Sequence, residues 1–248
     1  MELDTDVLVV IPAYNEADSV GEVVSQVLES APKVHVLVVD DASIDATATL
    51  ARKAGAEVIT NVFNLGVGGA MRVGFRYAAA KGYRAMIQVD GDGQHDPQDL
   101  GRLLDPVEDR AEPMVVIGAR FAGRGEYDAP RARRWAMRLL AWYLSRMTHV
   151  HLTDVTSGFR AHNRAAVELF ARTYPADYLA DTVESLVIAI EAGGAVTQVP
   201  VSMRTRTGGS PSQSRLRSTA YLTRVAFMLA LAVFRRHSPR PDTTEALP

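Results

Sequence analysis

Short apolar runs alternate with longer amphipathic stretches over the first 120 residues, and this alternation leaves few possible folds. Five runs have the length and the aliphatic content of buried strands: Val7–Ile11, Val34–Val39, Glu57–Thr60, Ala85–Val89 and Met114–Ile117. The stretches between them have helical length and apolar spacing: Ala17–Ser30, Asp45–Ala54, Gly68–Ala80 and Pro97–Pro106. The alternation predicts an α/β fold with a mostly parallel, Rossmann-like sheet flanked by helices.

The second half of the chain has a different pattern, with fewer strand-like runs and more basic residues. It predicts a basic amphipathic helix, a further helix, a late strand, a mobile loop and a last amphipathic helix, at Arg131–His149, Tyr178–Ala192, Val196–Val201, Thr205–Ser214 and Thr219–Arg236. We therefore expect one main domain over 1–212, large enough to be catalytic. A C-terminal amphipathic, membrane-proximal helix over 213–236 and a flexible tail over 237–248 would follow it.

Composition excludes several classes of protein. With 47% hydrophobic residues and no cysteine, the chain can form a core but cannot form disulfides, thiolate sites or cysteine-ligated metal centres. The net charge is only −2, which argues against a general nucleic-acid partner. The charge is unevenly spread, however, since residues 1–130 hold 11 Lys and Arg against 21 Asp and Glu, whereas residues 131–248 hold 16 against 8. This division suggests a site where a metal and an anionic ligand meet.

No signal peptide or membrane span is expected. The first residues are acidic, and the longest apolar stretch, Val225–Phe234, is too short to cross a bilayer, which takes about 20 residues.

Polar, acidic and glycine residues follow each predicted strand. In a parallel sheet these positions share one edge, where ligands bind beyond the carboxyl ends of the strands. After the fourth strand, Asp90 and Asp92 are separated by one residue and can reach one cation, and their oxygens suit Mg²⁺ or Mn²⁺. The alternative for this segment is a Gly/Asp turn at the start of the next helix.

The loops after the first two strands are candidates for nucleotide binding. A carboxylate of the pair Asp40 and Asp41 can accept hydrogen bonds from a ribose or a base, although Ser43 or Asp45 can simply cap the next helix. The segment Pro12–Glu16 can cradle a nucleotide or can be a rigid turn with Asn15 as a helix cap. The glycine-rich segment Asn64–Gly69 matches neither the dinucleotide fingerprint nor a P-loop.

Taken together, six segments resemble the family 2 glycosyltransferases, and within them the dolichol- or polyprenyl-phosphate sugar synthases. They are Ile11–Glu16, Asp40–Asp45, Asn64–Gly69, Asp90–His95, Gly118–Arg120 and Ser157–Arg160, in the family's order and spacing. The resemblance implies a GT-A fold, a nucleotide-sugar donor, a divalent metal (Mg²⁺ or Mn²⁺) and inversion at the anomeric carbon.

The resemblance also assigns roles to individual residues. It implies metal ligation by Asp90, Asp92 and Gln94, donor binding by Asp90 and Gly91, and nucleotide contacts by Pro12, Tyr14, Glu16 and Asp41. It implies an acceptor-phosphate site at Arg120, Arg131 and Arg134, with Arg133 as a further candidate, and a loop carrying Arg206 and Ser210 that closes over the donor diphosphate. Asp92 and Arg120 are thereby candidate catalytic residues.

The acceptor remains open between a lipid phosphate and a hydroxyl. A phosphate monoester is largely dianionic at neutral pH and needs no general base. A sugar hydroxyl needs one, and Asp181 or Glu184 would then serve. Two further alternatives are a sugar-1-phosphate nucleotidyltransferase, which lacks support because no basic glycine-rich loop follows the first strand, and a non-catalytic nucleotide-sugar-binding protein.

The resemblance leaves the sugar undetermined, so that GDP-mannose, UDP-glucose and UDP-N-acetylhexosamine are all possible donors. A polyprenyl-phosphate acceptor implies cell-envelope glycan assembly and a cytoplasmic protein peripheral at the inner face of the membrane. The basic helices can rest on an anionic leaflet, pack on the protein's own core or, for Thr219–Arg236, dock against a small membrane partner protein.

Overall fold

The computed structural model describes residues 6–120, 131–175 and 181–204, and at 131–136 and 181 it describes the backbone alone. Contacts between Cα atoms divide the chain into Met1–Pro211 and Ser212–Pro248, and all the described residues belong to the first of these units. The predicted Thr205–Ser214 loop, the predicted C-terminal helix and the tail lie outside the described residues.

A single sheet of seven strands forms the centre of the described part of the chain. The strands are β1 Val7–Ala13, β2 His35–Asp40, β3 Glu57–Thr60, β4 Ala85–Gln88, β5 Met114–Ala119, β6 Arg160–Asn163 and β7 Ala195–Pro200. Their spatial order is β3-β2-β1-β4-β6-β5-β7. All neighbours are parallel except β6, which runs antiparallel between β4 and β5. The predicted mostly parallel α/β fold is confirmed.

Seven α-helices accompany these strands in the described residues. They are α1 Val20–Ser30, α2 Thr47–Lys53, α3 Gly66–Lys81, α4 Leu100–Leu104, α5 Arg131–Thr148, α6 Arg164–Thr173 and α7 Asp181–Glu191. The Pro97–Pro106 segment, predicted as one helix, begins with a 3₁₀ turn over Pro97–Asp99 before α4. The first helix begins at Val20 rather than Ala17, with Ser19 and not Asn15 at its N-cap.

The sequence pattern did not predict β6 and α6. The four residues of β6 are Arg-Ala-His-Asn, without the apolar run that marks a strand, yet all four are buried. His162 donates from Nδ1 to the Met86 carbonyl, and burial lowers its pKa to about 3, with the charge of Arg160 adding to the effect. The neutral ring packs edge-on against Phe75 and Phe170. Tertiary packing thus makes a strand from polar residues, which local propensity alone would not.

The core lies between the sheet and its helices. Strands β1, β4 and β5 are buried along almost their whole length, because helices cover both faces of a parallel sheet. Within the described residues, no helix is both long enough and apolar enough to span a bilayer.

Candidate active site

The carboxyl ends of the parallel strands bring distant loops together at one edge of the sheet. The loop after β1 reaches the loop after β2, where Asp41 donates its backbone N–H to the Ala13 carbonyl at 2.8 Å. On the other side of β1, the Val89 N–H donates to the Val10 carbonyl at 3.0 Å. Strand β6, which is antiparallel, begins at this same edge, since Arg160 pairs with both Gln88 and Ile117. We call this the carboxyl edge.

The turn after β4 carries the predicted metal ligands. Asp92 accepts a bond from the Gln94 backbone N–H at 3.0 Å, and Gly93 adopts a φ of 75° that permits the tight turn. Ser19 donates its hydroxyl to the Gly91 carbonyl at 2.7 Å, which anchors the turn to the start of α1. Asp90 stays 38% exposed at the side chain. Hydrogen bonds to the backbone groups of Gly91 and Gln94 therefore hold the turn, while the Asp90 carboxylate stays partly exposed.

His95 supports Asp90 from behind. Its Nδ1 accepts the backbone N–H of Asp90 at 3.1 Å, which assigns the proton of the neutral ring to Nε2. That Nε2 lies 3.6 Å from Asp90 Oδ2. The ring is 5% exposed and stacks on Phe159, with the centroids 4.6 Å apart. The sequence marks His95 only as the end of the segment Asp90–His95, and the structure places it directly against Asp90.

Gly158 leaves the space that Asp90 occupies. A Cβ at this position would lie 2.9 and 3.0 Å from the two carboxylate oxygens of Asp90, so close that the carboxylate would have to shift. The segment Ser157–Arg160 thus meets the turn after β4 because β6 pairs with β4. The pattern in the sequence singled out this segment without indicating which acid it contacts.

The donor set of this turn suits a hard divalent cation. Asp90, Asp92 and Gln94 offer carboxylate and amide oxygens, the ligands that Mg²⁺ and Mn²⁺ prefer, and such ions complete their coordination with water and substrate phosphate. Across residues 6–120, 131–175 and 181–204, no group of three or more His, Asp or Glu side chains is arranged to hold a metal. Two acids and one amide fit a metal site in which oxygens of water and of a bound substrate complete the coordination.

Loops after β1 and β2 form one hydrogen-bonded unit. The Asn15 N–H donates to Ser43 Oγ at 2.9 Å, Asn15 Oδ1 accepts the Ile44 N–H at 3.0 Å, and the Glu16 N–H donates to Thr47 Oγ1 at 2.9 Å. Asn15 has a φ of 53°, a left-handed conformation that these bonds support. Tyr14, a predicted nucleotide contact, is 47% exposed beside Pro12.

Asp41 has a structural role in this unit. It is 3% exposed, and its carboxylate accepts bonds from Asn61 Nδ2 and from the N–H groups of Leu65 and Gly66, at distances between 2.7 and 3.1 Å. These bonds fix the loop after β3 at the start of α3. Its predicted contact with a nucleotide stays a prediction.

Asp45 stabilises the same unit from the surface. Burial by itself raises the pKa of its carboxyl, but bonds from Thr47 and from the Ala17 N–H outweigh that effect and hold the pKa below its usual value. The alternative that Ser43 or Asp45 caps the next helix is wrong, because the N-cap of α2 is Ala46; Asp45 lies one residue earlier and accepts the N–H of Thr47, the first residue of the helix.

Arg120 follows β5 at the carboxyl edge and forms a two-point ion pair with Asp154. The distances are 2.5 Å from Nε to Oδ2 and 3.0 Å from Nη2 to Oδ1. Asp154 is fully buried; burial raises the pKa of its carboxyl, but the hydrogen bonds and charge of Arg120 outweigh it and hold the pKa below its usual range. No motif in the sequence marks Asp154 for this role, although it is the single acid between Asp128 and Glu168.

Arg160 is buried and binds backbone rather than solvent. Its guanidinium donates to the carbonyls of Ser157, Val155 and Thr182 at 2.7–2.8 Å and to Ser185 Oγ at 3.1 Å. The residue therefore ties the segment before β6 to the first turn of α7. That turn starts at Asp181, the predicted general base for a hydroxyl acceptor, whose side chain lies outside the described atoms.

The chain after β7 passes beside the turn that follows β4. Met203 pairs with His95 in an antiparallel bridge, and the Arg204 N–H donates to the Gln94 carbonyl at 2.9 Å. The Arg204 guanidinium donates to Asp96 and Gln26, each at 2.7 Å. Arg206 and Ser210, predicted to close over the donor, follow directly but lie outside the described residues.

The predicted acceptor arginines are only partly described. Arg131 is the first residue of α5, and Arg133 and Arg134 lie in its first turn, while none of their side chains is described. Their backbone positions follow Arg120 across residues 121–130, which also lie outside the described residues.

Comparison with known proteins gives a consistent result. The sequence profile described as Glycosyl transferase family 2 matches residues 8–170. The chain is 34% identical over 173 residues to the polyprenol monophosphomannose synthase of Mycolicibacterium smegmatis, covering 65% of this chain and 63% of that protein. It is also 34% identical over 205 residues to the undecaprenyl-phosphate mannosyltransferase of Micrococcus luteus, covering 80% of this chain and 77% of that one.

A solved structure shares the fold. Glucosyl-3-phosphoglycerate synthase from Mycobacterium tuberculosis, crystallised with Mn²⁺, uridine diphosphate and phosphoglyceric acid, superposes with a TM-score of 0.67 at 20% identity. The superposition covers 97% of this chain and 81% of that one. The fold is that of the GT-A glycosyltransferases, and the profile match spans more than half of the sequence. The chain belongs to glycosyl transferase family 2.

Proposed function

We propose that this protein is an inverting, metal-dependent glycosyltransferase that moves a sugar from a nucleotide-sugar donor to the phosphate of a polyprenyl phosphate. It would serve cell-envelope glycan assembly from the cytoplasmic side, as a peripheral protein at the inner face of the membrane. A mannosyl donor such as GDP-mannose comes first, because both sequence relatives named above are mannosyl enzymes by name, ahead of UDP-glucose and UDP-N-acetylhexosamine.

One observation carries this proposal, namely that groups of opposite charge lie at one edge of the sheet. Asp90 follows β4 and Arg120 follows β5, with only β6 between those strands. Two strand spacings separate them by about 10 Å along the edge. A donor diphosphate and an acceptor phosphate need two binding positions close together, one acting through a cation held by the acids and one through arginine.

The acidic turn needs a cation to accept a diphosphate. Asp90 and Asp92 would repel the donor by themselves, so a divalent ion held by them and Gln94 would neutralise the charge that develops on the departing nucleoside diphosphate. The chain's own residues do the rest of this work. His95 and Ser19 hold the turn, Gly158 leaves room for the Asp90 carboxylate, and the loops of Tyr14 and Glu16 are the predicted place of the nucleotide.

The basic side would hold the nucleophile. A phosphate monoester has a second pKa of about 6 and is largely dianionic at neutral pH, so it attacks the anomeric carbon without a general base. Arg120, with Arg131 and Arg134, would orient it in line with the bond to the leaving group. Asp154 aligns the Arg120 guanidinium through two bonds.

A hydroxyl acceptor is the second candidate, and one observation favours it. Arg160 fastens the first turn of α7 to the segment that contacts Asp90, so Asp181 begins a helix tied to the site. If Asp181 acts as a base, its replacement by Asn abolishes transfer to a sugar hydroxyl. Transfer to a phosphate would survive the same change.

A panel of donors and acceptors tests the proposal. The full chain is incubated with GDP-mannose, UDP-glucose or UDP-N-acetylglucosamine, with Mn²⁺ or Mg²⁺, and with a polyprenyl phosphate, the matching polyprenol or a free sugar. We expect a glycosyl polyprenyl phosphate by mass spectrometry, metal-dependent and with inverted configuration by NMR, and no product from the polyprenol. Preferred transfer to a hydroxyl would overturn the lipid-phosphate assignment. No release of nucleoside diphosphate from any donor would favour a non-catalytic binding protein.

A further inference from the structure

Helix α5 has two distinct faces beyond its first turns. Leu140, Ala141 and Leu144 are buried against the protein. The end of the helix is fixed by Ser145, whose hydroxyl accepts the Leu152 N–H at 2.9 Å. The opposite side presents four exposed side chains at helical spacing, which we call the α5 outer face: Arg138, Leu139, Trp142 and Arg146.

The exposure of Trp142 is the unusual feature of this face. A tryptophan is normally well buried, yet this one is 58% exposed, and Leu139 beside it is 38% exposed. The Arg146 guanidinium lies 5.9 Å from the centre of the indole ring. An open depression of about 530 Å³ adjoins the ring and is lined by Trp142, Ser145, Arg146, His149, Val150 and His151. An apolar ring, a cation and an open depression together fit an amphipathic partner with an anionic head.

The charge of α5 selects among such partners. The helix contains five arginines and no acid over Arg131–Thr148. The next acid along the chain, Asp154, is buried and paired with Arg120. Everything that α5 turns outward beyond residue 136 is therefore basic, aromatic, aliphatic or uncharged polar, the composition of helices that lie at the surface of anionic bilayers.

Two other occupants carry the wrong charge. The chain beyond the described residues, 205–248, holds seven arginines against two acids, so it shares the positive sign of the α5 outer face. A second copy of the chain, paired through the same face, would bring the arginines of both copies together.

A second cluster of exposed apolar side chains lacks the basic residues that accompany Trp142 on the α5 outer face. Ile44, Val62 and Phe63 are 91%, 94% and 66% exposed on the loops after β2 and β3. No Lys or Arg occurs over residues 40–51 or 54–71, and Asp45 is next to Ile44. An anionic surface would not select this cluster, although its apolar exposure is greater.

We propose that the α5 outer face docks on an anionic lipid leaflet, with the Trp142 ring at the level of the headgroups and Arg138 and Arg146 against lipid phosphates. This deepens the proposed function and rests on it, because a polyprenyl phosphate presents its phosphate in the headgroup plane. The predicted acceptor residues Arg131 and Arg134 lie on the same helix, so docking would place its beginning where the acceptor phosphate emerges.

Vesicle binding by the full-length protein tests this surface. Cosedimentation is measured with vesicles of phosphatidylcholine alone and with phosphatidylglycerol added, at low and high salt. We expect binding to need phosphatidylglycerol and to weaken with salt. Trp142→Ser should lower the partition coefficient roughly ten-fold, and Arg146→Gln roughly five-fold.

Phe63→Ser is the matched control, since it removes an aromatic side chain of similar exposure from a cluster that has no Lys or Arg beside it. It should bind vesicles as the wild type does, and thermal unfolding checks that all variants are folded. Equal binding by wild type and Trp142→Ser, or loss of binding with Phe63→Ser, would overturn the surface. So would a concentration-dependent dimer that Trp142→Ser dissociates, because the face would then be covered by a second copy.

The two proposals can fail separately. One outcome is that the wild type transfers sugar to polyprenyl phosphate while Trp142→Ser and Arg146→Gln leave vesicle binding unchanged. In that case the docking surface is wrong and the proposed function stands. If vesicle binding depends on Trp142 and phosphatidylglycerol but no lipid phosphate accepts sugar, the proposed function is wrong and the surface stands as a lipid contact.

Discussion

Asp90 after β4 and Arg120 after β5 differ in how much of their charge the protein itself compensates. Asp90 is 38% exposed and faces His95 Nε2 at 3.6 Å. Arg120 is 25% exposed and bound at two points to a fully buried carboxylate. The proposed cation site keeps the Asp90 carboxylate accessible, whereas an internal partner aligns the neighbouring arginine in advance. The carboxyl edge therefore contains one charge that the protein leaves partly open and one that it compensates itself.

The largest expected effect comes from removing a proposed metal ligand. Asp92→Ala should lower kcat at least about a thousand-fold, because the leaving diphosphate loses its counter-charge. Its melting temperature should stay near that of the wild type, because Asp92 is only half-buried and Ser19 still anchors the turn at Gly91 when the bond from the Gln94 N–H to the Asp92 carboxylate is lost. Turnover, Mn²⁺ binding by electron paramagnetic resonance and thermal unfolding give the answer. A fully active variant would mean that the metal assignment is wrong.

Breaking the compensated position should instead affect folding. Arg120→Ala leaves the Asp154 carboxylate buried without its partner, and removal of one member of such a pair costs about 3–5 kcal/mol of unfolding free energy. Arg164→Ala, at an exposed i to i+4 pair with Glu168, is the control and should cost less than about 0.5 kcal/mol. Urea unfolding measures both. Equal small losses would contradict the difference between the two positions.

The same pair has a predictable pH dependence. Because the folded pKa of Asp154 is held below its value in the unfolded chain, the stabilisation is complete well above pH 4 and is lost as the pH falls through the folded pKa. Arg120→Ala should flatten this part of the stability curve below pH 4. An unchanged curve would show that another group causes the loss of stability at low pH.

His95 should act on the metal through Asp90. His95→Phe keeps a ring that can stack on Phe159 but removes the nitrogens that face the Asp90 backbone and carboxylate. Loss of such a supporting contact weakens metal binding by about 10- to 100-fold. We expect a higher Kd for Mn²⁺ and partial recovery of kcat at high metal concentration. An unchanged Kd would leave His95 a packing residue only.

The smallest expected effect concerns space rather than charge. Gly158→Ala places a Cβ within 3.0 Å of both Asp90 oxygens, so the carboxylate must move, and Mn²⁺ affinity should fall several-fold. Gly101→Ala, where a Cβ meets nothing within 4 Å, should leave the affinity unchanged and stabilise α4 by up to about 1 kcal/mol. Titration with Mn²⁺ compares the two variants, and equal affinities would show that Asp90 accommodates the methyl group.

Four of the strands and the charged residues at the carboxyl edge could be predicted from the sequence. Continuous apolar runs marked β1, β2, β4 and β5, and the polar residues after each strand marked the carboxyl edge. The acids after β4 and Arg120 after β5 stood out because they are local features. The pattern did not reveal β6 and α6, since four polar residues form a strand only when other elements bury them.

Strand and helix periods and strand ends are local properties, so the order of residues is enough to predict the α/β class, the edge proposed to bind ligands and the types of residue gathered there. The partners of these residues follow from the folded chain: Asp154 with Arg120, Gly158 and His95 with Asp90, and Arg160 with α7. These pairs depend on β6 entering antiparallel between β4 and β5, and no local pattern encodes which strands will be neighbours. Charges on the same edge are thus foreseeable from the chain, while their compensation is a product of the fold.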